Sequence, residues 1–427
     1  MRVLFITSRL PWPPVTGRKT SLFYHLRGLA SRPGMTVGAA SLVDEPSQLQ
    51  GRPTFLRYFV PLSHPRLWRR VYHTVRYTVG RNYWPIQTAL CWSKENAKIV
   101  RASIARFNPD VVVGDTVRTA PYLFDDLAVA RVLQLDDLLS RRYERQLMAS
   151  GAVDIIGEYS KQLPISFLPL VRVLARTLLA VEIRRVRRAE REWPRAVEAV
   201  TLVSPLEVAQ LSDQAALSNV YYVPPAVDGP TRLGPFRPER DGARLVFVGA
   251  FSMHHNFEAA RELCTMTFPA LLAKGCPVSL ILAGRNADRL AKYATHPDIR
   301  LMKDVEDMST MLRSAHVFVA PLRTGSGTKL KLIEAMANGG PIVTTSIGAE
   351  GLVGLAGTHY MVRDDVEGFV DGVRQLIHSS DQAAALRSAA RRLFESEYSE
   401  AVVADRLFAV LESAIATRAR EKRRCVC

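Results

Sequence analysis

The sequence is short of cysteine and short of uninterrupted apolar runs. Its 427 residues include five cysteines, Cys91, Cys264, Cys276, Cys425 and Cys427. Their spacing makes neither a zinc site nor a small disulfide framework. That excludes a metal-stapled finger and a cross-linked secreted module, and a reduced, cytosolic compartment fits best. Cys425-Val426-Cys427 is too short a pattern to specify lipidation and reads as a ragged tail. The longest apolar region, Leu163 to Ile183, is broken by Pro164, Pro169, Arg172 and Arg176, whereas a membrane span needs about 20 apolar residues in a row. The opening run Met1 to Ser8 is too short for the apolar part of a leader, and Arg9, Pro11, Pro13 and Pro14 follow it, so it reads as a first strand. No Gly-x-Gly-x-x-Gly and no Walker loop occur, which removes the usual supports for dinucleotide redox chemistry and ATP hydrolysis. No internal repeat of about 20–50 residues is evident.

Acidic residues are also few: 41 Asp and Glu against 57 Lys and Arg, a net charge of +16. An anionic partner is implied, whether nucleic acid, an anionic membrane or acidic substrates. No nucleic-acid-binding module is recognisable, so nucleic acid is not expected. Hydrophobic residues make up 48% and charged residues 23%, enough apolar material for two buried cores at this length.

Val317 to Leu352 is the most informative stretch. Val317 to Ala320 is a short apolar run, as a buried parallel strand would be. Pro321 ends it, Gly325-Ser326-Gly327 forms a loop, and Thr328 is a good helix N-cap. Leu330, Ile333, Met336 and Ala337 recur at helical spacing, and Asn338-Gly339-Gly340-Pro341 stops the helix. Ile342 to Thr344 is the next strand. Such a β-loop-helix-β unit gathers backbone N–H groups and the positive end of a helix dipole, which suits a phosphate. Lys329 and Lys331 in the first turn are locally unfavourable until an anion sits between them. Glu334 lies three residues after Lys331, on the same helix face.

At these residues the chain resembles the GT-B nucleotide-sugar glycosyltransferases, specifically the family-four-like retaining enzymes of exopolysaccharide clusters. The resemblance carries Glu334, in Glu-Ala-Met-Ala-Asn-Gly, onto the glutamate that holds the donor ribose. That family's Glu-x7-Glu motif has its first glutamate where this chain has Ser326. The implied fold is α/β, two Rossmann-like domains facing a cleft. The implied chemistry is transfer of a sugar from a nucleotide-diphosphate donor to a hydroxyl acceptor, with retention. The implied acceptor is a glycan or a lipid-linked intermediate. Lys329 and Glu334 become candidate catalytic residues, and Gly17, Gly249, Gly325, Ser326, Gly327, Thr328 and Lys331 candidate donor contacts. No Asp-x-Asp occurs, so the metal-sugar motif of the other main glycosyltransferase fold is missing. Neither a metal nor a cofactor is expected beyond the nucleotide-sugar itself.

The rest of the chain fits this frame. A strand at Val3 to Thr7 leads through a proline-rich loop to Gly17, where backbone can approach a ligand closely. Arg18 and Lys19 stand beside it, and Thr20 or Ser21 is expected to cap a helix with Leu22, Phe23, Leu26 and Leu29 inward. Polar residues past a parallel strand fall in the ligand crevice of an open α/β sheet. Asp115, Thr116 and Arg118 follow the strand Val111 to Val113 and are the acceptor-side candidates. Asp136-Asp137 follow Val132 to Leu135. Gly51 to Trp84 mixes arginine and histidine with Trp68, Tyr72, Tyr77 and Trp84, a composition found at membrane interfaces and in nucleic-acid binders; a membrane interface and a solvated face with its aromatics in the core fit it equally. Arg172 to Arg195 reads as a basic amphipathic helix, lying on lipid headgroups or bordering the acceptor cleft. Tyr221 to Pro230 has linker chemistry, and Asn256 is expected to cap the first helix of the second half. The expected domains are residues 1–225, joined by a last helix over about 399–427, and residues 226–398. A cytoplasmic protein, peripheral on the inner face of the plasma membrane, is the expected setting.

Overall fold

A computed structural model describes residues 1–15, 17–79, 83–125, 127–148, 168–234, 242–303, 305–325 and 327–426. Ser326, Arg81 and Pro164 lie outside the described residues, as do the side chains of Leu170, Arg172, Val173 and Leu174. The chain divides into two compact units, residues 1–224 with 403–427 and residues 225–402.

The first unit is built on β1 (Arg2–Thr7), β2 (Thr36–Val43), β3 (Leu56–Ser63), β4 (Val111–Asp115), β5 (Ala130–Asp136), β6 (Ala199–Leu202) and β7 (Val220–Tyr222). They form a parallel sheet in the order β3-β2-β1-β4-β5-β6-β7. Val3, Leu4, Phe5 and Ile6 are fully buried, as are Val111, Val112 and Val113. A strand covered by helices on both faces needs such an unbroken apolar run. Tyr221 and Tyr222 correct the expectation of a linker starting at Tyr221: with Val220 they form a seventh strand paired with β6. A β-branched residue and two aromatics favour a pleated edge over a linker. The helix Gly17–Ala30 begins at Gly17 rather than after Thr20 or Ser21. The Thr20 hydroxyl donates back to Pro14 O at 3.0 Å, so it fastens the proline loop instead of capping. The expected inward residues Leu22, Leu26 and Leu29 are fully buried.

The second unit is built on β8 (Ala243–Val248), β9 (Val278–Ala283), β10 (Ile299–Met302), β11 (Val317–Ala320), β12 (Ile342–Thr344) and β13 (Met361–Val362). The order is β10-β9-β8-β11-β12-β13, again parallel throughout. The helix between β11 and β12 runs Leu330–Asn338 and closes on Gly339 at φ 74°. There a Cβ would be strained, and it would also meet Leu233 Cδ1 at 2.6 Å. Thr328 is not its cap. Lys329 occupies that position, and the Thr328 hydroxyl donates to Gly351 O at 3.1 Å. Asn256 is not a cap either: its helix, His254–Glu262, is preceded by Met253.

Each sheet reverses direction once. In the first unit strands are added on one side of β1 and then, from β4, on the other. In the second unit the reversal falls between β8 and β11. Ligands of open α/β sheets bind outside the carboxyl ends of the strands at such a switch point.

Candidate functional site

At the switch point of the second unit, Gly249 follows β8 and the loop from Pro321 to Lys329 follows β11. A Cβ at Gly249 would lie 2.9 Å from Asn256 Nδ2 and 3.2 Å from Lys331 Nζ, so only glycine fits beside this pair. Asn256 Nδ2 donates to Ala250 O at 3.0 Å, and its Oδ1 accepts from Lys331 Nζ. Lys331 Nζ also sits 4.6 Å from the centre of the Phe247 ring, a cation–π placement. Lys329 is buried and its Nζ donates to Gly327 O at 2.7 Å. Gly325 and Gly327 adopt φ of 122° and 67°, conformations that let the loop fold round Lys329. A Cβ built at Gly325 would lie 3.8 Å from Lys329 Nζ and 3.9 Å from His255 Cγ.

The charges here are held under strain. Burial, and then the charge of Lys329, push the Lys331 ammonium down to about 7, against the pull of Glu334. Burial pushes the Glu334 carboxyl up to about 7, with Lys331 opposing. Two lysines stand beside a helix N-terminus. A diphosphate suits such a place, since its oxygens can accept from the N–H groups of the first turn and from the ammonium groups. Glu334, one turn further on, presents a hydrogen-bond acceptor suited to vicinal hydroxyls.

At the switch point of the first unit, Arg18 forms the centre of a polar cluster. Its Nε and Nη2 donate to Asp115 Oδ1 at 2.9 and 2.7 Å, and its Nη1 to Asp136 Oδ1 at 2.9 Å. Ser8 Oγ donates to Asp115 Oδ2 at 3.0 Å. Burial works to raise the Asp115 pKa, but the charges of Arg18 and Arg9 and the bonds from Arg18 and Ser8 outweigh it and hold Asp115 below the usual carboxylate range. Burial raises Asp136 instead; Arg18 opposes and Asp137 adds to the rise. Asp136 is partly exposed, with φ 72°, a left-handed conformation rare for a residue with a side chain. Gly17, which opens the helix carrying Arg18, has open space where a Cβ would stand. Thr116 follows Asp115 at φ 65°. Arg118 does not join Arg18: its Nε donates to Gln87 Oε1 at 2.8 Å, and Gln87 in turn donates to Tyr143.

Beyond Asp136, Ser140, Glu190 and Arg187 help to line a cavity of about 250 Å³. Ser140 N and Oγ donate to Glu190 at 3.1 and 2.5 Å. Burial pushes Glu190 up to about 7, and burial together with the Asp137 charge pushes Glu207 up to about 8. Among the described residues no group of three metal-ligating side chains occurs.

Residues 242–379 match the family model described as glycosyl transferases group 1. No curated protein matches the chain. Solved structures match it almost end to end. Sucrose-phosphate synthase from Thermosynechococcus elongatus aligns at TM-score 0.67 and 14% identity, over 97% of this chain and 100% of that one. Anabaena HepE, solved with UDP and glucose, gives 0.58 and 13%, over 97% and 100%. WaaG, a glycosyltransferase involved in lipopolysaccharide biosynthesis, gives 0.57 and 15%, over 97% and 98%. The fold is that of the GT-B glycosyltransferases, two Rossmann-like domains, as the sequence resemblance implies.

The segment matched by the family model contains Gly249, Gly325, Gly327, Thr328, Lys329, Lys331 and Glu334. Several polar residues of the two sites escaped the sequence reading. Asn256, read only as a cap, is the partner of Lys331. Ser8 stands one residue past β1, and Gln134, whose Oε1 accepts from Arg18 Nη2 at 3.4 Å, interrupts an apolar strand; both positions carried a signal. Glu190 sits on a helix with charged residues all along it and Glu207 in the first turn of the helix Pro205–Ala215, and nothing in their spacing marks them out.

Proposed function

We propose that the protein is a metal-independent hexosyltransferase. It moves a sugar from a nucleotide-diphosphate-sugar to a hydroxyl of a lipid-linked or polysaccharide intermediate, retaining the anomeric configuration. The carrying observation is the cluster of Lys329, Lys331, Asn256 and Glu334 at the β8/β11 switch point, where two cations and a helix N-terminus converge. Breaking the glycosidic bond leaves negative charge on the diphosphate and positive charge on the sugar ring. Donors already in place when charge develops lower that barrier most. Lys329 and Lys331, with the N–H groups after Thr328, meet the departing diphosphate. Glu334 accepts from the donor ribose, and Gly17, Gly249 and Gly325 admit the donor closely. On the acceptor side, Arg18 holds Asp115 ionised and sets Asp136, the more exposed of the two, to accept from the incoming hydroxyl. Thr116 and Arg118 shape that edge. The matching of UDP and glucose with HepE, and the lipopolysaccharide role of WaaG, support this class of donor and acceptor. A place in exopolysaccharide assembly, in the cytoplasm at the inner face of the plasma membrane, fits the same chemistry and the charge of +16.

The test is turnover. With a panel of UDP-, GDP- and ADP-sugars and a lipid extract as acceptor source, one donor should release its nucleoside diphosphate, in the presence of a chelator. Lys329→Ala and Lys331→Ala should each lose most of that release. A second reading, a nucleotide-sugar binder without transfer, rests on Ser326 at the position of the missing first glutamate. Binding of one nucleotide-sugar with no release under any acceptor condition would establish that reading instead.

A further inference from the structure

Lys331 Nζ is placed at the second switch point by a relay of fixed groups. The loop Ala250 to Met253, which follows β8, carries no charged side chain. Its backbone is pinned to the end of β9: Gly249 N donates to Ala283 O at 3.0 Å and Phe251 N to Arg285 O at 2.9 Å. Gly284, at φ 132°, lets the two segments touch, since a Cβ there would lie 2.3 Å from Gly249 O. The Ala250 carbonyl between those two bonds is therefore held in one direction. It accepts from Met253 N and from Asn256 Nδ2, each at 3.0 Å.

A carbonyl can only accept. The amide nitrogen of Asn256 must face Ala250, and its Oδ1 is turned the other way. That oxygen accepts from Lys331 Nζ. Asn256 is buried, so both ends of its amide need partners, and it has them. The Phe247 ring stands 4.6 Å from Nζ as a second wall. As packing alone, the arrangement is costly: a buried ammonium destabilises a fold unless a charge meets it, and apolar side chains at positions 256 and 331 would fill the space at lower cost. A lysine held in such a place points to a functional group rather than a structural one.

We propose that Asn256 is a positioning residue for sugar transfer, acting through Lys331 to hold Nζ where the leaving diphosphate gathers charge. The proposal rests on the transferase reading and gives Asn256 a part in the chemical step beyond donor binding. Negative charge on the diphosphate grows as its bond to the sugar breaks, so a cation fixed beforehand acts most strongly on the transition state. The titratable neighbours are Lys329 and Glu334, on the same segment as Lys331, and His255, on the helix that carries Asn256 and close to Gly325.

The experiment is a double-mutant cycle on the full chain. Release of nucleoside diphosphate from the donor that wild type turns over is measured for Asn256→Ala, Lys331→Ala and the pair. Asn256→Ala should lose about tenfold or more in kcat, as expected for a hydrogen bond to a charged group, with a smaller change in KM. In the Lys331→Ala background the same substitution should cost almost nothing further. A merely structural asparagine would give additive losses. Asn256→Asp keeps an oxygen for Lys331 and gives a second readout that needs no nucleotide. Competitive acetylation of Lys331, read by peptide mass spectrometry across pH, follows its neutral amine. In wild type the midpoint stands near 7. A carboxylate beside the ammonium favours the charged form, so the midpoint should rise by about one unit or more. Additive losses in the cycle, or an unmoved midpoint in folded Asn256→Asp, would overturn the proposal and leave the transferase reading standing. Failure of wild type to release nucleotide from any donor would sink that reading and this proposal with it.

Discussion

Lys331 is the residue on which donor binding can be read most directly, through its proton. In the free protein its pKa stands near 7. At pH 8 about one Lys331 in ten is then charged. A diphosphate charge about 4 Å away interacts with an ammonium by about 4 kcal/mol at an effective dielectric of 20. That corresponds to a rise of about three pKa units, to about 10. Binding at pH 8 should take up about 0.9 proton. The sign follows: the bound state holds more protons than the free state between pH 7 and 10, so affinity falls as pH rises through that window. From pH 7 to pH 9 the loss is about fifty-fold. The neighbours that titrate nearby are Lys329 and Glu334. Glu334, also near 7, would be pushed further up by the same anion, and a Glu334→Gln background isolates the lysine. The assay is titration calorimetry with nucleoside diphosphates at pH 8 in buffers of differing ionisation enthalpy. In the Glu334→Gln background, Lys331→Gln should bind more weakly and with no pH dependence between 7 and 9 from these side chains. Proton exchange near zero in the Glu334→Gln protein, despite tight binding, would refute the placement of the diphosphate beside Lys331.

Glu334→Gln should itself change stability with pH. Its carboxyl titrates near 7 when folded against an ordinary 4.5, so the folded state favours the neutral form. Wild-type stability from this group is complete below pH 4.5 and is lost as pH rises to about 7. Urea unfolding should show the variant and wild type alike at low pH and the variant gaining steadily between those values. Arg18→Ala leaves Asp115, fully buried, without its main cation. A loss of about 3–5 kcal/mol is expected, and Asp115→Asn added to Arg18→Ala should recover part of it in the same unfolding assay. Gly249→Ala forces a methyl against Asn256 and Lys331. It should cost about 1–3 kcal/mol by overpacking and abolish nucleotide-induced stabilisation, as a thermal melt would report.

The donor loop was legible because its signals are local. Pro321, Gly325, Gly327 and Gly339 punctuate strand, loop and helix between residues 321 and 339, and Lys329, Lys331 and Glu334 fall at the cap and in the first two turns of the same helix. The alternation of apolar strands and helices likewise implied two parallel sheets. What stayed hidden depends on tertiary closeness. Arg18 meets Asp136 across 118 positions, and Lys331 meets Asn256 across 75. No spacing rule connects such pairs. Tyr221 and Tyr222 read as linker because the prolines just after them dominate the local composition, while their pairing with β6 is decided by the sheet. Thr328 was expected at the cap because hydroxyl residues prefer that position; the carbonyl of Gly351 took its hydroxyl instead. On the helix Leu67–Val79, Trp68 and Tyr72 looked as suited to a core as to a surface, and only the packing of His73 and Tyr77 on Trp92 decides which face is outward.

The central claim is that a nucleoside diphosphate is held at the β8/β11 switch point with its ribose on Glu334. Thermal stabilisation by UDP, GDP, ADP and their sugars, on wild type and on Glu334→Ala, tests it most directly. At a hundred times its dissociation constant the right nucleotide adds about 2.7 kcal/mol to wild type. The account predicts such a shift from one nucleotide class and its loss in Glu334→Ala. A folded wild-type protein that no nucleotide stabilises, or a shift that survives in Glu334→Ala undiminished, would contradict it.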